Sequence, residues 1–205
     1  MSIEVYPVTA ERWDDVVKVF GRRGQDASWC WCQRFLRSPV ATSPAPGSRP
    51  DNREALRHEI AEAAVPPGLL AYVAGQPVGW IRVGPRSGLA GVGGNRALAR
   101  VLAGDLSERA DDGVWWVACF AVESQHRRSG VGSALLVGAV DYARRHGAAA
   151  VEGHPVDATA LSAARVTGSA IFTGTVPMFA AAGFTEVART YRTRPVMRLQ
   201  LHRSD

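Results

Sequence analysis

The chain opens on an alternation. Ile3-Glu-Val-Tyr-Pro-Val8 places apolar side chains at every second position, the period of a strand with one covered face. From Trp13 the period lengthens. Trp13, Val16, Val17 and Phe20 fall at i, i+3, i+4 and i+7, which predicts a helix. Thr9 is placed to cap it, and Gly21 and Gly24 to end it. Four prolines within 38–50 predict a loop. Asp51 or Asn52 then caps a second helix, stopped by Pro66-Pro67. Residues 68–83 set two β-rich arms around Ala74-Gly75-Gln76-Pro77 and predict a hairpin. A glycine-rich loop follows, then a short helix near 95–103. The run VWWVACFAV at 114–122 is apolar without a break, as in a central strand covered on both faces. Residues 132–147 return to the helical period, with Leu136, Ala139, Val140 and Ala143 on one stripe and Gly147 at the end. A second inner strand is predicted at 149–153. Residues 157–172 are weakly patterned. Thr175 caps a last short helix, and two β-rich stretches with a turn at Arg194-Pro195 close the chain as a hairpin. This order of elements predicts one mixed α/β domain.

Composition narrows the picture. Hydrophobic residues make up 46% and charged residues 21% of the 205, which suits a globular domain. The apolar runs are too short to span a bilayer, and the start lacks a basic segment followed by an apolar one. A cytoplasmic protein without a membrane partner is expected. The net charge is +5, and Lys18 is the single lysine among 24 basic residues. The arginines are scattered rather than clustered on one face, so nucleic-acid binding is not expected. Cys30, Cys32 and Cys119 are an odd number of cysteines, which argues against a disulfide framework. Cys30-Trp31-Cys32 lacks zinc-site spacing, so no metal is expected, and the WCWC run reads as an apolar patch lining a core or pocket.

The chemistry concentrates in Ser124-Gln-His-Arg-Arg-Ser-Gly-Val-Gly-Ser-Ala-Leu-Leu136, between the central strand and the helix after it. A helix starting there presents unpaired N–H groups and the positive end of its dipole. Glycines let an anion approach the backbone, and arginines add charge, so the stretch suits a pyrophosphate. The nucleoside-triphosphate loop is excluded, because no Gly-Lys precedes a Ser or Thr at the helix start. The dinucleotide fingerprint is excluded, because Leu135 stands at its third glycine. In the loop GLAGVGGN, Arg96 stands there. What fits is Arg127-x-x-Gly130-x-Gly132. Read without a ligand, the same glycines serve a tight turn and close helix packing.

That motif, in its place between strand and helix, resembles the acetyl-coenzyme A motif of the GNAT superfamily of N-acetyltransferases. The hairpin at 68–83, the helices at 10–24 and 51–64, and FAAAGFTEV resemble further elements of that family. The likeness covers nearly all of 1–205, with insertions at 25–50, 85–113 and 157–172. It implies a central mixed, mostly antiparallel sheet flanked by helices, and acetyl-CoA as co-substrate. It implies pantetheine contacts at Phe120, Ala121 and Val122, with an oxyanion donor among the same backbone groups. It implies pyrophosphate contacts at Arg127, Arg128, Ser129, Gly130, Val131, Gly132 and Ser133. Direct transfer in a ternary complex makes Cys119 a strand residue rather than a nucleophile. Candidate bases are Glu123, Glu152, His154 and Asp157; we select Glu152, with His154 beside it on the same strand face. The family's general-acid tyrosine corresponds here to Phe179, so water, Thr173 or Thr175 takes that part, or the thiolate leaves unaided. Trp29, Trp31 and Phe35 either line the acceptor pocket or pack the core. The expected partner is a small-molecule amine. A protein or peptide amine, a CoA-binding sensor without transferase activity and a homodimer all stay open.

Overall fold

The structure is a computed structural model and describes residues 2–21, 30–36, 51–102, 113–162 and 168–201. The predicted loop at 38–50 and the WCWC residue Trp29 lie outside the described residues. Seven strands form one sheet: β1 (Ile3–Pro7), β2 (Gly68–Val73), β3 (Gln76–Pro85), β4 (Val114–Val122), β5 (Ala150–Gly153), β6 (Thr185–Tyr191) and β7 (Arg194–Gln200). Their spatial order is β1-β2-β3-β4-β5-β7-β6, and every pairing is antiparallel except β4 with β5. The helices are α1 (Trp13–Phe20), α2 (Asn52–Glu62), α3 (Ala90–Gly93), α4 (Arg96–Val101), α5 (Val131–Arg145), α6 (Ala158–Ser162) and α7 (Val176–Ala181).

The local signals act as expected in most places. Asp51 caps α2 by accepting the Glu54 N–H at 2.9 Å, a bond worth about 1 kcal/mol. Ala74 and Gly75 both have positive φ, 49° and 75°, so a two-residue turn joins β2 to β3 with the twist a hairpin needs. Three readings are corrected. The Thr9 hydroxyl makes no cap bond; a 3-10 turn at Ala10–Arg12 leads into α1 instead. The glycine-rich stretch contains α3, because Leu89, Val92 and Leu98 are buried beside Trp116 and burial overrides glycine's weak propensity. The last hairpin turns at Arg192-Thr193, and Arg194 already belongs to β7.

Three apolar clusters hold the layers. On one face, α5 lays Leu135, Leu136, Ala139 and Ala143, all fully buried, on β2–β4. On the other face, α1, α2 and the 30–36 loop pack Val16, Leu56 and Trp31 over Trp80. Farther along that face, α3 and α4 cover Trp116 and Val196. A disulfide joins Cys32 to Cys119 across 87 residues, tying the 30–36 loop to β4. The expectation of no disulfide is thereby overturned. The odd count left one thiol over, Cys30, and did not prevent the other two from meeting once the loop lay across β4.

Candidate functional site

The site begins with a mismatch of strand lengths. β4 runs for nine residues, but its parallel pairing with β5 covers only Val114 to Val117. β5 ends at Gly153, so among the described residues no strand pairs with the β5-facing edge of β4 over 118–122. An unpaired edge presents backbone N–H and C=O groups to whatever lies beside it. Here a groove of about 1480 Å³ lies beside it, with Phe120, Ala121 and Val122 along its length.

At one end of the groove stands the start of α5. Arg128 and Gly130 have φ of 62° and 88°, on either side of Ser129. Left-handed positions in such a turn aim amides into a common concavity, which receives anions. Glycine adopts this conformation freely at Gly130, whereas Arg128 is a non-glycine residue in it. The Ser129 hydroxyl donates to the His126 carbonyl at 2.6 Å and closes the turn. The first backbone bond inside α5 runs from the Ala134 N–H to the Gly130 carbonyl at 2.9 Å. The N–H groups of Val131, Gly132 and Ser133 precede it, and no side chain caps them. Fifteen residues of helix point their positive end here. Close contact with β3 fixes the helix start: a Cβ on Gly79 would come within 2.7 Å of Val131 Cγ1 and 3.0 Å of Leu135 Cδ1.

The structure thus brings most of the predicted cofactor residues into one groove. Phe120, Ala121, Val122, Arg127, Arg128, Gly130, Gly132 and Ser133 all line it. Ser129 and Val131 do not. The first spends its hydroxyl on the turn, and the second buries its side chain in the core, leaving only their amides to contribute. These residues fit a diphosphate-bearing nucleotide on their own chemistry. They offer an open helix start, two exposed arginines and an extended strand edge.

The predicted catalytic pair lies elsewhere. Glu152 is 0% exposed and turns its carboxylate away from the groove. Oε2 accepts from Arg86 Nη1 at 2.7 Å, and Oε1 accepts from Arg198 Nε at 2.9 Å and lies 2.8 Å from its Nη2. His154 does not line the groove either. Its Nε2 lies 2.7 Å from Thr190 Oγ1, whose own proton goes to the Arg194 carbonyl at 3.1 Å. The ring therefore donates to Thr190. Burial first, and then the Arg194 charge, push the His154 pKa down to about 4. Asp157 accepts from the Ala160 N–H at 3.2 Å and pairs with Arg189. Of the four candidate bases only Glu123 lines the groove, beside the start of α5 and 3.4 Å from His126.

The remaining candidates separate cleanly. Phe179 is fully buried, with its ring against Gly153, Phe184 and Phe120. The Thr173 hydroxyl is buried and accepts from Arg194 Nη1 at 2.7 Å, whereas Thr175 lines the groove. Trp31 belongs to the core, stacked on Phe20 at 4.7 Å. Phe35 packs on Phe172, with ring centroids 6.4 Å apart. Cys30, Cys32 and Cys119 all line the groove, and the last two are bonded to each other. Sequence reasoning missed Lys18 and Arg34, which line the groove from α1 and the 30–36 loop. No local signal marks them, because only the folded arrangement brings them together. Among the described residues, no cluster could hold a metal ion.

Comparison with known proteins agrees with this geometry. A model of the acetyltransferase (GNAT) family matches residues 30–165. The GNAT domain of S. lividans PAT superposes with a TM-score of 0.53 at 19% identity, over 97% of this chain and 90% of that one. The acetyltransferase yncA from Salmonella typhimurium, solved with its cofactor acetyl-CoA, gives 0.52 at 14% identity over 100% and 96%. The Drosophila melanogaster polyamine N-acetyltransferase, which forms N-acetylagmatine, gives 0.52 at 15% identity over 98% and 100%. No curated protein sequence matches the chain.

Proposed function

The chain belongs to the GNAT acetyltransferase family, and from that premise we propose that it transfers an acetyl group from acetyl-CoA to a primary amine of a small molecule, directly, with both substrates bound. The observation that carries this reading is the uncapped start of α5, with Arg128 and Gly130 in left-handed turns, opening onto a groove along the unpaired edge of β4. Acetyl-CoA is the donor, and its thioester supplies an activated acyl carbon.

Each part of the groove has a task. The amides of 131–133, with the Arg127 and Arg128 guanidiniums, hold the diphosphate. Backbone N–H groups on the β4 edge, near Phe120 to Val122, stand ready for an oxyanion. Among the described lining residues, Glu123 is the one carboxylate and His126 the one imidazole, and both flank the helix start. Among the described residues no other carboxylate or imidazole lines the groove, and in this reading the amine enters uncharged or yields its proton to water. Thr175, which lines the groove, is our candidate for protonating the leaving thiolate. Glu152 and His154, selected from sequence as the catalytic pair, are assigned here to structure. One is locked between two guanidiniums, and the other is a neutral ring bonded to Thr190.

A CoA-binding module without turnover is the second reading. It draws on the buried Phe179 ring, which has no proton to give. Thiol release from acetyl-CoA across an amine panel separates the two. Acceptor-dependent release supports transfer, whereas saturable acetyl-CoA binding without release on any amine supports the module. In the first case, the pH at which kcat/KM rises follows the acceptor's own amine pKa.

A further inference from the structure

Among the described residues, two cations outside the α5 turn line the groove, Arg34 and Lys18. Arg34 stacks on Phe172, with the guanidinium carbon 5.3 Å from the ring centroid. Lys18 is paired with a carboxylate, its Nζ 3.0 Å from Asp15 Oδ1. Behind Phe172 stands Arg194, which donates to Thr173 at 2.7 Å. Burial and then the charge of Arg34 lower the Arg194 pKa, so the two guanidiniums feel one another. Glu123 is the one carboxylate among the described lining residues, and no described carboxylate pairs with Arg34.

A cationic polyamine entering beside Arg34 would meet like charge and, among the described residues, no carboxylate paired with that guanidinium. An amine carrying its own carboxylate would meet a planar fork that suits bidentate bonding. We propose that the acceptor is an amine that also bears a carboxylate, held in the groove by the Arg34 guanidinium. The inference rests on the acetyl-transfer reading above and names its substrate class. Arg34 contacts the substrate's carboxylate and sets specificity; it takes no part in the acyl transfer itself.

The test compares glycine, β-alanine, γ-aminobutyrate and phenylalanine with their amides, and with phenethylamine and spermidine, by thiol release from acetyl-CoA. Calorimetry with acetyl-CoA is run on the same preparation. The expected result is a kcat/KM at least tenfold higher for the best acid than for its amide, the size of one charge-assisted hydrogen bond. Arg34→Gln collapses that ratio towards one, while the KM for acetyl-CoA moves less than twofold. Because Arg34 is exposed, the substitution leaves the core intact. An amide, phenethylamine or spermidine turned over as well as the acids overturns the inference, as does a ratio that Arg34→Gln leaves unchanged. Acetyl-CoA binding with turnover of none of these amines overturns it too. Absence of acetyl-CoA binding overturns the acetyl-transfer reading itself, and the calorimetry tells the two failures apart.

Discussion

Replacing Glu152 with Gln keeps the shape of the side chain and removes its charge. The structure gives this substitution a large effect on stability. Glu152 is 0% exposed, and the side chain of its partner Arg86 is 5% exposed, whereas that of Arg198 is 23% exposed. Arg198 can turn towards water when the carboxylate is neutralised, and Arg86 cannot. Removing the charge of one member of a buried ion pair costs about 3–5 kcal/mol. For a domain of this size about 1 kcal/mol moves the midpoint by roughly 2–4 °C, so Glu152→Gln lowers Tm by roughly 6–20 °C. The assay is thermal and urea unfolding followed by circular dichroism, with initial rates measured well below the variant's midpoint. Folded Glu152→Gln retains turnover within a few-fold of the parent. Combining Glu152→Leu with Arg86→Met, which removes both charges, recovers most of the lost stability, because an apolar pair of similar volume has no charge to desolvate. A Glu152→Gln protein that melts within about 2 °C of the parent but loses a hundredfold in kcat would refute the argument and return Glu152 to the reaction.

Other perturbations test other parts of the account. His154 has its pKa lowered from 6.5 to about 4 in the fold, so the unfolded chain takes up its proton first as pH falls. Its contribution of about 2–3 kcal/mol is complete above pH 6.5 and is lost between there and pH 4. His154→Gln removes this part of the pH dependence in urea titrations at pH 4, 5, 6 and 7, and an unchanged slope counts against the burial argument. The Cys32–Cys119 disulfide closes a loop of 87 residues, for which chain entropy gives about 4.5 kcal/mol. A non-thiol reductant lowers Tm of the parent but not of a Cys32→Ser/Cys119→Ser variant, and equal melts for the parent in both conditions contradict the bond. Gly130→Val forces a β-branched residue to φ 88°, where, among the described residues beyond its chain neighbours, a Cβ would meet Ile3 Cδ1 at 3.9 Å and nothing nearer. Strain rather than collision then reshapes the turn, so acetyl-CoA affinity falls at least tenfold while the fold persists. Undiminished affinity there removes the turn from the site.

Residues that act locally were legible in the sequence, and residues that act across the fold were not. The strand-turn-helix at 114–145 carries its own signals: an unbroken apolar run, glycines, then a helical stripe. The structure places the strand at Val114–Val122 as predicted and the helix at Val131–Arg145, one residue earlier at its start and two at its end than the predicted 132–147. The mixed, mostly antiparallel sheet followed from the family resemblance, since no local pattern reveals that β5 pairs in parallel with only part of β4. Glu152 shows why strand-face reasoning found the wrong side. Its alternation is real, but that face meets Trp116 and the arginines of β7 and of the turn after β3, so the carboxylate completes a core rather than a groove. Cys32 and Cys119 are 87 residues apart and meet only because a loop crosses β4. Lys18 and Arg34 come to line one groove for the same reason.

The central claim is that the open amides at the start of α5 hold the diphosphate of acetyl-CoA. Isothermal titration calorimetry of the purified protein with acetyl-CoA tests it most directly. The account predicts saturable binding to one site per chain, weakening as salt rises because Arg127 and Arg128 share the phosphate charge. A flat titration at millimolar acetyl-CoA would contradict it.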